Sequence, residues 1–244
     1  MGVLERINNV VTRTLPLKTV RSHADAALVS ITFDDFPKSA WTLGGPILAR
    51  YGARATYYAA GGFCGRTEEG VEYYNEADLA AVRAAGHEVG CHSFAHQQAP
   101  TVPSGSLATD LDRNAAFLGG DMVSYAYPYG QSSPRTKALM SRRFANARGI
   151  RSGVNAGWID LAQLKAIPIE HRRWIPEEID AALDAAVASN GWVVFFTHDV
   201  AEAPTPFGAT PEMLDAVLAK VAVRGIEVLP VKHAMARCVF GHAA

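Results

Sequence analysis

The chain has 244 residues, 49% hydrophobic and 19% charged, with 23 basic residues against 24 acidic ones for a formal net charge of −1. This length fits one α/β domain with a sizeable core, and the balanced, dispersed charge excludes the basic footprint of a nucleic-acid binder. Three cysteines, Cys64, Cys91 and Cys238, show no C-x-x-C spacing, which excludes a disulfide framework and a thiolate zinc site and fits a reducing compartment.

Residues 1–20 are interrupted by Glu5, Arg6, Arg13 and Lys18 and offer no apolar core of a signal peptide. No stretch approaches the roughly 20 apolar residues of a membrane span. The expectation is a cytoplasmic protein with one catalytic domain over 1–244, its core at about 27–231 and an N-terminal extension at 1–26. The short basic pairs Arg142–Arg143 and Arg172–Arg173 read as solvated helix ends.

Along the chain, short apolar runs alternate with helical patterns. Segment 27–33 reads as a buried strand, 41–51 as a helix and 53–59 as a second strand. A helix over 75–85 has Asn75 as its N-cap, acidic Glu76 and Asp78 in its first turn and Gly86 at its end. Strand 87–91, helix 106–118 and strand 123–127 follow. Then come helix 134–143, a short strand at 144–148 and a further strand at 164–169. Helix 175–189, strand 191–197, helix 211–224 and a last strand at 226–231 complete the pattern. Loops 101–106 and 203–209 contain proline and read as surface loops near a barrel mouth. Such alternation implies a parallel sheet with helices outside. Seven or eight mostly parallel strands over this length favour a distorted (β/α) barrel, with a flat doubly wound sheet as the alternative. No G-x-G-x-x-G follows the first strand, and there is no phosphate-binding lysine loop, so nucleotide binding has no support.

The chemistry-bearing residues fall after strands, where the active site of an α/β barrel gathers. Asp34 and Asp35 follow the first strand. His92 follows the third, with His96 four residues on. Tyr127, Pro128, Tyr129 and Gly130 end the fourth, and His198 and Asp199 follow strand 191–197. Two adjacent carboxylates repel unless a cation or another partner compensates them; the competing use is a helix N-cap ahead of Pro37. On a helical turn, residues i and i+4 share a face, so His92 and His96 can hold one ion. With Asp35 they form a two-histidine, one-carboxylate set with room for water, and such a set suits zinc, cobalt, nickel or iron. His87 opens its strand at the opposite end of the barrel and reads as structural. His198 reads as a general acid or as a core histidine bonded to a backbone carbonyl, and Asp199 as its partner or a cap.

These segments resemble the polysaccharide deacetylases, the NodB-homology or carbohydrate esterase family 4 proteins. The resemblance runs from about residue 27 to 231. The first motif stands as Thr32-Phe33-Asp34-Asp35 and the second as His92-Ser93-Phe94-Ala95-His96. The third stands, altered, as Ala126-Tyr127-Pro128-Tyr129-Gly130, and the fifth as Phe196-Thr197-His198-Asp199. The resemblance implies a metal-dependent hydrolase that removes N-acetyl groups from an amino sugar or polysaccharide, most simply with zinc. Asp34 would be the base that activates water, and Asp35, His92 and His96 the metal ligands. His198 would protonate the leaving amine. Tyr129, through its N–H, with Pro128 and Asp199 would form the oxyanion and substrate-binding part.

Two departures stand out. The arginine that opens the third motif and orients the base is replaced by Ala126. The fourth motif, an Asp–Trp element supporting the catalytic histidine, has only Trp158 and Asp160 as candidates, in reversed order. Ring-opening hydrolysis of cyclic amides is the second enzymatic reading, and an inactive carbohydrate-binding relative the third. Phe63, Tyr73, Tyr74, Trp158 and Phe207 are loop aromatics that could stack on sugar rings, with core packing the more common use of such residues.

Overall fold

The computed structural model describes residues 12, 14–120 and 122–241. Most of the segment read for a signal peptide, residues 1–11 and 13, lies outside the described residues. The central sheet runs through β1 (Leu28–Phe33), β2 (Thr56–Ala59), β3 (Glu88–Cys91), β4 (Ser124–Ala126), β5 (Asn146–Arg148), β6 (Ile167–Pro168), β7 (Trp192–Thr197) and β8 (Glu227–Val228). Its order is β6-β7-β1-β2-β3-β4-β5, with β8 also paired to β1, and every pairing is parallel. The two edges are joined through the segment before β6. Ala147 N–H donates to the Leu161 carbonyl at 2.7 Å, Leu164 N–H to Ala147 at 2.8 Å and Gly149 N–H to Leu164 at 3.0 Å. The sheet is therefore a distorted barrel, as expected, rather than a flat sheet.

Among the described residues, helices α1 (Lys38–Thr42), α2 (Gly44–Arg50), α3 (Glu76–Ala84), α4 (Ser104–Phe117), α5 (Pro134–Arg143), α6 (Pro176–Ser189), α7 (Pro211–Val223) and α8 (Val231–Phe240) accompany the sheet. Every residue of β1 and β7 is buried, as parallel strands covered on both faces require. Odd-numbered β1 residues Val29, Ile31 and Phe33 join Leu214, Val217 and Leu218 of α7 in the larger core cluster. Alternate residues Leu28, Ser30 and Thr32 face the other way, into the lumen. Asn75 and Asp78 form a reciprocal capping box on α3, with both N–H···O bonds at 3.0 Å.

The expected strand 226–231 is shorter, because Pro230 ends it and α8 starts at once. That helix closes the lower end of the lumen. Its first N–H groups, those of Val231 and Lys232, donate to Thr56 Oγ1 and Glu88 Oε2, both at 2.9 Å. The expected helix 41–51 is two short ones divided at Leu43. Among the described residues, no helix is long and apolar enough to cross a membrane.

Candidate active site

The site assembles from the lumen-facing residue at the upper end of successive strands. Two-residue periodicity carries β1 from Thr32 to Asp34, β3 from Gly90 to His92, β5 from Asn146 to Arg148, and β7 from Phe196 to His198. These converge on a cavity of about 640 Å³ whose walls include Asp34, Asp35, His92, His96, Tyr129 and His198. The chain does not reach this geometry along regular paths. Asp35, Phe36, Ser93, His96 and Tyr129 all adopt left-handed φ, between 48° and 61°. Only Glu69 and Asn190 do so elsewhere among the described non-glycine residues. Such backbone costs energy and concentrates where a side chain must be aimed against its strand's preference.

Asp35 Oδ1 lies 3.3 Å from His92 Nε2 and 3.0 Å from His96 Nε2. The ligand atoms of these three residues all fall within 4.8 Å of one another. His92 Nδ1 is 2.9 Å from the Ala126 carbonyl. It donates there, so the neutral ring presents a lone pair at Nε2. Burial would raise the Asp35 carboxyl, but the His92 and His96 imidazoles set against it outweigh that and hold the group well below its ordinary range. Burial would lower His92, yet the nearby Asp35 and Asp34 carboxylates prevail and push it up.

His92 and His96 meet through a tight turn, not the helical turn the spacing suggested. Asp110 of α4 fixes that turn by accepting the N–H groups of Phe94 at 2.8 Å and Ala95 at 2.9 Å. Gly62 donates to the Phe94 carbonyl at 2.8 Å, and a Cβ on Gly62 would stand 2.7 Å from the same oxygen.

Asp34 does not cap a helix, since α1 has Pro37 at its N-cap position and no side-chain cap. It is buried, and its Oδ1 and Oδ2 lie 2.5 and 2.6 Å from Arg148 Nη2. Arg148 is 0% exposed and donates from Nη1 to the Gly149 carbonyl at 3.0 Å. Its guanidinium carbon lies 4.9 Å from the Phe196 ring centroid and 5.3 Å from that of Tyr58. Ala126 is its register partner on β4. The missing third-motif arginine thus has a spatial counterpart one strand over.

His198 does not use Asp199. Its Nδ1 donates to the Phe207 carbonyl at 3.2 Å, leaving Nε2 3.9 Å from Asp35 Oδ2. Both Asp199 oxygens go to Thr205, accepting its N–H at 2.8 Å and its hydroxyl at 2.5 Å. Asp199, expected to take part in substrate binding, anchors through Thr205 the loop that carries Phe207. Pro128 is buried in the turn, and the cavity wall is formed by Tyr129 and Gly130 instead. The Tyr129 ring stands 4.6 Å from that of His96.

Trp158 and Asp160 are not near His198. They lie on a short strand (Trp158–Asp160) paired with Thr19–Arg21, where Asp160 binds Lys137 at 2.6 Å and Trp158 is 72% exposed. The segment beside His198 is instead Glu170–Trp174, which follows β6. Glu170, Arg172 and Arg173 line the cavity, so the second basic pair is not a helix end.

The fold and the clustered polar residues define a barrel of the carbohydrate-deacetylase class. The sequence model described as polysaccharide deacetylase matches residues 21–144, and the chain belongs to that family. No curated protein sequence matches it. Among solved structures, it is similar to the Xyl-CE4 domain of a multidomain xylanase from the hindgut metagenome of Trinervitermes trinervoides. Identity there is 16%, coverage 87% of this chain and 91% of that one, and the TM-score 0.60. A family 4 acetyl xylan esterase from Clostridium thermocellum in complex with a cobalt ion has 21% identity, 84% and 89% coverage and a TM-score of 0.59. The peptidoglycan deacetylase PdaC from Bacillus subtilis has 15% identity, 87% and 91% coverage and a TM-score of 0.55.

Proposed function

We propose that the chain hydrolyses the acetamide of an N-acetylated sugar, with a divalent cation held by Asp35, His92 and His96. The carrying observation is the convergence of those three donors in a cavity that Asp34 and His198 also line. The donor set fits a cation. Asp35 Oδ1 is buried without a hydrogen-bond partner, and with His92 Nδ1 committed to a carbonyl the ring directs a lone pair at it. Lone pairs gathered this closely demand either protons or a metal ion. Two imidazoles and a carboxylate suit zinc, and cobalt, nickel and iron are chemically admissible. When bound, such a cation supplies polarisation of the acetyl carbonyl and a lower pKa for water.

The chain's own residues supply the proton transfers. Asp34, oriented by Arg148, takes a proton from the attacking water. The Tyr129 N–H donates to the acetyl oxygen as negative charge builds on it. As the C–N bond breaks, His198 delivers a proton from Nε2 to the leaving nitrogen, its ring held by the Phe207 carbonyl. The products are acetate and a free amine.

The test is acetate release from N-acetylglucosamine, N-acetylgalactosamine and triacetylchitotriose, with cyclic amides in parallel, before and after chelation and zinc add-back. Chelator-sensitive acetate release is expected. Ring opening of a cyclic amide without acetate release would overturn the reading.

A further inference from the structure

Glu170 enters neither the metal set nor the proton transfers, yet it is a buried carboxylate, 3% exposed, in the wall of the same cavity. The β6–β7 register pairs Pro168 with Phe196. Continued two residues, that register would set Glu170 level with His198 on the lumen-facing side, one strand spacing or roughly 5 Å away, and both residues line the cavity. That spacing is the width of a sugar ring. The segment is clasped to the next loop: His171 N–H donates to Gly208 at 2.7 Å and Arg172 N–H to Pro206 at 3.1 Å. Arg172 Nε donates to Glu170 Oε2 at 2.7 Å, while the Arg172 guanidinium carbon lies 4.1 Å from the Phe207 ring centroid. Among the described residues Glu170 Oε1 has no partner. That oxygen opens on the cavity that Glu170 lines, so it is free to accept a hydrogen bond from a ligand there.

We propose that Glu170 determines specificity for a hydroxylated substrate: Oε1 accepts a hydrogen bond from a hydroxyl of the sugar ring whose acetamide faces Asp34 and His198. Arg172 locks Oε2, so the recognising oxygen is preset, and Phe207 and Pro168 offer apolar surface to the ring's C–H face. This inference rests on the deacetylase reading.

Glu170→Gln tests it. In that variant the amide oxygen stays with Arg172 Nε, which turns the amide NH₂ toward the cavity and replaces an acceptor by a donor. Acetate release is measured with the three N-acetylated sugars above and with 4-nitrophenyl acetate, an acetyl ester bearing no hydroxyl. The expected result is a loss of about ten- to a hundredfold in kcat/KM on the sugars, the range for a hydrogen bond to a charged group. The loss should be carried mainly by KM, with 4-nitrophenyl acetate hydrolysis and metal content unchanged. Equal loss on sugar and ester, or on neither, overturns the proposal. Wild-type protein that cleaves the ester but none of the sugars overturns the deacetylase reading instead. Should Glu170→Gln fail to fold, Glu170→Asp keeps the charge, retracts the oxygen and must show the same sugar-selective loss.

Discussion

Arg148 lays a single guanidinium nitrogen across both carboxylate oxygens of Asp34, joining residues 114 positions apart in the chain. The pair is buried, so removing one partner strands a charge, at a cost of about 3–5 kcal/mol. Arg148→Ala should lower stability by that order and turnover by up to about a hundredfold, as loss of an outer support does at metal sites. Ala126 points into the same lumen space from the neighbouring strand. Adding Ala126→Arg to the Arg148→Ala variant should therefore return part of both. Chemical denaturation and kcat, measured on the two variants, check this; a double variant no better than the single one would show that Arg148 acts only through packing.

The two adjacent aspartates should separate cleanly. Asp35→Ala is expected to lose stoichiometric metal, measured by elemental analysis after dialysis. Asp34→Asn should retain it while turnover falls by roughly a hundredfold or more, the contribution of a positioned general base. Full metal occupancy in the first variant, or unchanged activity in the second, would contradict the assigned roles.

Asp110 stands outside the cavity wall, yet it holds the turn between the two histidines through the Phe94 and Ala95 N–H groups. Asp110→Ala should weaken zinc affinity by about tenfold or more, read by competition with a chelating dye. Asp110→Asn, which keeps one accepting oxygen, should fall between that variant and wild type.

His87 packs against Trp41 and Tyr57 at the lower end of the barrel, where its Nδ1 accepts the Ala55 N–H at 2.9 Å. Burial, assisted by nearby Arg54, pushes its pKa down to about 4. The unfolded chain, with an ordinary histidine near 6.5, binds a proton that the folded chain refuses. Stability is therefore full above about pH 6.5 and declines as pH falls toward 4, by about 2 kcal/mol for a ring with partial solvent access. Urea denaturation between pH 4 and 7 should show this slope. His87→Asn, whose amide oxygen can accept the same N–H, should flatten it.

Much of this was legible in the chain itself. Strand and helix signals placed Asp34, Asp35, His92 and His198 at strand ends; the lumen-facing periodicity brings Asp34, His92 and His198 together, and left-handed backbone turns Asp35 in beside them. The same rule pointed to Arg148, which ends the segment read as strand 144–148, and to Glu170, just past 164–169. Neither stood out, because an arginine or glutamate at a strand end gains meaning only once register shows which cavity it faces. The fourth-motif element was sought at Trp158 and Asp160 by residue type, whereas proximity to His198 is set by the pairing of β6 with β7. Asp199 beside His198 suggested a partner; the loop's path instead turns the Phe207 carbonyl to that ring. The closing helix α8 was hidden by the apolar run before Pro230, which reads equally well as strand.

The left-handed residues around the mouth mean that this barrel's most stable descendants would not be its most active ones. Glycine at Ser93 or Tyr129 would relax the local backbone and blunt the angles that aim His92, His96 and the Tyr129 N–H. Breeding for heat resistance would thus erode the rim before the trunk, and a library meant to toughen this protein should leave those five positions alone.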